Sequence, residues 1–187
     1  MRLRSPDGAS VELRIAGYQF PDYKVHSADV TVRMLQALAK FPNADPKKLA
    51  RDWDANWLQV CGNITLSGGK TWAFEQPCLT TWDARELGSW LRKVAAGTVS
   101  PPPSRTDEAE QLLEFLEPNI AFGLEECTPD RVRIRVHFGV EALPPWLQGG
   151  QEEPPLFDYF VSLDVSAQEL AQAAEAWMLE LAEFPER

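Results

Sequence analysis

The chain has 187 residues, 44% of them hydrophobic, and a formal net charge of -10. That is enough apolar material for one sizeable core, or for two small subunits of structure sharing one. No run of 18 apolar residues occurs, and MRLRSPDGAS has no apolar stretch behind its arginines, so neither a membrane span nor an export signal is expected. Cys61, Cys78 and Cys127 are odd in number and widely spaced, which fits reduced thiols, a cytoplasmic location and no metal site.

The acidity is uneven: residues 1–100 hold 13 Lys/Arg against 10 Asp/Glu, whereas residues 101–187 hold 5 against 18. Such a field disfavours direct contact with nucleic acid and favours a basic partner.

In chain order, SVELRIAGYQF (10–20) alternates Val11, Leu13 and Ile15 with polar residues, the period of a half-buried strand. Residues 27–41 place Thr31, Met34, Leu35 and Leu38 at helical spacing, and Asp45-Pro46 can open a further helical turn. Residues 23–51 together read as an insertion. NWLQVCGNITL (56–66) and TWAFE (71–75) predict two strands joined by Ser-Gly-Gly-Lys, with Gly68 and Gly69 supplying positive φ. The Gly69-Lys70-Thr71 triplet resembles the end of a phosphate loop, but position 64 is Ile and an alternating strand follows where that motif needs a helix. Thr80 with Asp83 predicts a capped helix with the stripe Ala84, Leu87, Trp90, Leu91, Val94 and Ala95, closed by Gly97.

The proline-rich stretch 98–108 reads as a linker between halves 1–97 and 109–187 of one compact domain. Beyond it, residues 112–127 are strand-like with a break at Pro118, residues 131–140 and 157–165 alternate, and Ser166 with Glu169 caps the stripe Leu170, Ala173, Ala174, Trp177, Met178 and Leu181. The expected class is α+β: antiparallel sheets carrying two amphipathic helices, with a duplicated β-β-β-α unit as one reading of the pattern.

Chemistry-bearing motifs are sparse. His26 and His137 have no metal-ligand spacing, and His137 shares a strand face with Arg131, Arg133 and Arg135, where an outward polar role is expected. A hairpin around Thr128-Pro129-Asp130 would set Glu125 opposite Arg131 or Arg133, with Asp158 and Asp164 on the next strand, forming a cross-strand charge ladder. The paired acids Glu125-Glu126 and Glu152-Glu153, with Glu114 and Glu117, form the candidate partner-binding face. Trp53, Trp57 and Trp146 are candidate exposed contacts for an alternative role, the binding of a small ligand such as a carbohydrate.

DWDANWLQV (52–60), FEQPCLTTWDARELGSWLRKVAAG (74–97), FLEPNIAF (115–122) and VRIRVHFGVEALPPW (132–146) resemble the WapI-type immunity proteins of bacterial polymorphic toxin systems. The resemblance spans most of residues 8–184, with 23–51 longer than the pattern. It implies a non-enzymatic, cofactor-free cytoplasmic inhibitor that binds a cognate toxin domain. A basic nuclease domain would suit the acidic second half.

Overall fold

Two antiparallel meanders, each followed by a helix of 15 residues, organise the chain in a computed structural model. It describes residues 1–23, 51–102, 111–128, 131–149 and 153–187, together with Val32, Leu35, Gln36, Ala39 and Lys40. Those five are helical, in line with the helix expected over 27–41; Thr31, Met34, Leu38 and the Asp45-Pro46 turn lie outside the described residues.

The first sheet has the order β1 (Arg2–Arg4), β2 (Ser10–Tyr18), β3 (Trp57–Thr65), β4 (Thr71–Thr80). Alternation in β2 and β3 buries Val11, Leu13, Ile15, Leu58, Val60 and Ile64 on one face. The β3-β4 hairpin closes at Leu66–Lys70, where Gly69 alone has positive φ, at 81°. Strand β4 runs past the expected Glu75 as far as Thr80, through Pro77. The proline is tolerated because β4 is an edge strand and the ladder bulges between Leu58 and Val60. A strand rather than a helix therefore follows Gly69-Lys70, which removes the phosphate-loop geometry.

A short α1 (Trp53–Asn56) precedes β3, and α2 (Thr81–Ala95) follows β4 directly. Thr80 and Asp83 cap α2 reciprocally, as Ser166 and Glu169 cap α3 (Ala167–Leu181). Each cap is worth about 1 kcal/mol.

The second sheet has the order β5 (Leu113–Glu114), β6 (Ile120–Cys127), β7 (Val132–Phe138), β8 (Tyr159–Val165). Among the described residues each sheet thus has four strands, one more than a β-β-β-α unit would supply. The extra strands, β1 and β5, have three and two residues, too few to show a period of two, and exist because longer neighbours hold them.

The helices pack on each other. Trp177, fully buried on α3, donates from Nε1 to the Ala84 carbonyl of α2 at 2.7 Å. The crossing is close because Gly88 has no side chain: a Cβ there would stand 3.0 Å from Met178 Cγ and 3.2 Å from Trp177 Cδ1. Helix α3 also ties to the first sheet, where Glu180 accepts from the Ile15 amide at 2.8 Å and from Arg14 at 3.0 Å. The sheets meet through Trp72 and Phe74 on β4 against Phe138 on β7, with ring centroids 5.2 and 6.3 Å apart. One cluster of buried apolar side chains draws on both sheets, α2 and α3.

Candidate binding surface

The arginine row of β7 is neutralised by the chain's own acids. Arg131 and Arg133 both donate to Asp164 on β8, at 2.6 and 2.8 Å, and Arg135 reaches Glu125 at 2.9 Å. The ladder expected from the sequence is present with a shifted register. A bulge between Leu124 and Glu126 sets Glu126 opposite Arg133 and sends Glu125 to Arg135, not principally to Arg131 or Arg133. Asp158 lies outside β8, in an exposed turn preceding it.

His137 does lie on the arginine face, yet it is only 2% exposed, a correction to the outward role expected of it. Its Nδ1 sits 2.6 Å from the Phe157 carbonyl, and Phe157 and Phe160 pack against its ring. Aromatic neighbours, invisible to strand periodicity, cover the imidazole.

The six candidate glutamates therefore separate. Glu125 and Glu126 are half-buried and engaged with arginines. Glu114, Glu117 and Glu153 are exposed, and Glu152 lies outside the described residues. The sequence reading missed Glu141, exposed on the 3-10 turn Val140–Ala142.

Antiparallel pairing gathers the exposed acids Glu114, Glu117, Glu141 and Glu153. Because Ile120 pairs with Phe138 and Phe138 with Tyr159, the segments 114–119, 139–142 and 153–158 all emerge at one end of the second sheet. Gly139 joins them. Its amide donates to the Asn119 carbonyl at 2.9 Å, and a Cβ on it would stand 2.5 Å from the Pro118 carbonyl oxygen and 2.7 Å from Leu156 Cδ1. Two residues here adopt left-handed backbone without being glycine, Val140 at φ 42° and Phe157 at φ 65°. For a β-branched valine this costs on the order of 1–2 kcal/mol. Leu116, Val140 and Leu156 point outward with exposures of 59%, 38% and 54%. No lysine or arginine occurs in the three segments.

The tryptophans do not form one platform. Trp53, 40% exposed, stacks edge-on with Trp82 at 5.2 Å, with Arg51 over both rings. Trp57, half-buried, is nearby at the start of β3. Trp146, also 40% exposed, packs on Trp72 with Lys70 Nζ 3.4 Å from its ring centroid. Trp72 pairs with Ile64, seven residues along β3 from Trp57, about 23 Å at strand rise.

Cys78 is buried, and its thiol is pushed up to about 12, first by burial and then by the charges of Glu141 and Glu117. A thiol held so firmly protonated is a poor nucleophile. Among the described residues, none that lines a cleft of 260 Å³ beside Trp90, Val99 and Leu113 has an ionisable side chain. Among the described residues no cluster of three or more His, Cys, Asp or Glu could hold a metal, and no helix is long and apolar enough to cross a membrane.

The profile of the immunity protein WapI-like family matches residues 2–185. No curated protein matches the chain.

Proposed function

The chain belongs to the WapI-like immunity protein family, and from that premise we propose that it binds a cognate toxin domain stoichiometrically in the cytoplasm and blocks it by contact, without catalysis. The family match over nearly the whole chain carries this reading. The physical support is the charge distribution. Residues 101–187 carry a net charge of -13 against +3 for residues 1–100, and a protein that cleaves nucleic acid must offer phosphate a cationic surface, which an acidic inhibitor can find quickly and cover. A basic nuclease domain is accordingly the proposed target. Binding of a carbohydrate through Trp53, Trp57 and Trp146 is less well supported, since these residues fall at opposite ends of one hairpin.

Co-expression tests the proposal. The toxin domain would be the carboxy-terminal domain of the large secreted protein encoded beside this chain. Growth of cells making it should be restored by the chain, and the purified pair should elute as an equimolar complex. Continued killing with no complex at micromolar concentrations would sink the reading.

A further inference from the structure

Resting on that toxin-binding reading, we propose that the three segments at the end of the second sheet form the docking surface, and that the partner presents an apolar pocket ringed by lysine or arginine. Leu116, Val140 and Leu156 supply the apolar centre. Each is more than a third exposed, and Leu156 and the Pro118 carbonyl both pack against Gly139, the residue before Val140. Glu114, Glu117, Glu141, Glu153 and Asp158 supply the rim. All five are exposed, and none makes a salt bridge to a described residue, unlike Glu125 and Glu126.

This combination of an apolar centre and a polar rim is the anatomy of a protein interface. The sign of the rim selects its occupant. Five carboxylates with no cation in the same segments repel phosphate, which disfavours nucleic acid, and they repel one another, which disfavours a second copy of this chain. A cationic protein surface is the complement. The apolar centre and the rim then do different work: desolvated side chains govern how long the complex lasts, and the surrounding charges govern how fast it forms. Glu125 and Glu126 contribute little, because the ladder already holds them.

The test measures binding kinetics against the adjacent-gene toxin domain, carrying a substitution that abolishes its toxicity. Leu156→Ser should raise Kd about tenfold or more, mainly through faster dissociation. Val140→Gly removes an apolar contact while accepting the left-handed backbone, so it should weaken binding without lowering the melting temperature. Glu117→Gln with Glu141→Gln should slow association several-fold at low salt and reduce its salt dependence. Leu179→Ser, at a 73% exposed leucine on α3, serves as the control and should leave binding unchanged. If wild type binds and both apolar variants stay within about twofold of it, the docking surface is wrong and the toxin-binding reading survives. If wild type does not bind the toxin domain, both fall.

Discussion

Gly62 on β3 lies directly across from Phe74 on β4, and the ring occupies the space a side chain at 62 would need. An alanine Cβ there would stand 2.5 Å from Phe74 Cζ and 2.7 Å from Cδ1. The ring cannot retreat inward, because Phe138 packs beyond it at 6.3 Å and Phe74 is already 8% exposed. Gly62→Ala should therefore cost about 1–3 kcal/mol through overpacking. Replacing glycine inside a strand returns about 0.5–1 kcal/mol, leaving a net loss of about 1 kcal/mol from the middle of the two ranges. For a chain of this size that is a fall in Tm of about 2–4 °C, readable by thermal denaturation followed by circular dichroism. The cause is checked by a double-mutant cycle. In a Phe74→Leu background the shorter side chain leaves room, so the cost of Gly62→Ala should shrink by about 1 kcal/mol. A Gly62→Ala protein melting at or above wild type, or an equal cost in both backgrounds, would refute the steric argument.

Trp177→Phe should cost about 2–3 kcal/mol, since it removes a buried hydrogen bond to Ala84 and leaves a void between α2 and α3; denaturant unfolding measures it, and a loss under about 0.5 kcal/mol would contradict the packing. Asp164→Asn leaves Arg131 and Arg133 without their shared carboxylate, but at 32% exposure the site is partly solvated, so about 1 kcal/mol is expected, diminishing at high salt. Alkylation under native conditions should label the half-buried Cys61 and Cys127 well before Cys78, and equal rates would show that the seam over Cys78 opens readily. The Cys78 thiol is raised from 9.0 to about 12 in the fold. Its contribution to stability is therefore fully present below pH 9 and lost as pH rises toward 12, a decline that Cys78→Ala should flatten. Glu169 is held below its usual range by hydrogen bonds from the Ser166 hydroxyl and amide. Its contribution is present above the unfolded carboxyl's pKa and lost as pH falls through the folded value, so Ser166→Ala should weaken the acid dependence of stability, and unchanged acid melts would count against the cap.

By itself the sequence determined the α+β class, most strand positions and both capped helices. These depend on neighbours a few residues apart: the period-two alternation of β2, β3, β7 and β8, the reciprocal Thr80/Asp83 and Ser166/Glu169 caps, and the stripe from Leu170 to Leu181. The charge asymmetry was equally legible. Long-range pairing decided the rest. Which carboxylates remain available depended on a bulge at Leu124/Glu126 that moved Glu125 to Arg135, and the burial of His137 depended on Phe157 and Phe160, about twenty residues away. The proposed apolar centre at Leu116, Val140 and Leu156 could not be read locally, because the three sit in separate loops that show no strand or helix period, Leu116 beside Phe115 and Leu156 beside Phe157. Only the registers Ile120–Phe138 and Phe138–Tyr159 bring the three to one end of the sheet. Local periodicity fixes which way a side chain faces; strand pairing fixes what it faces together with.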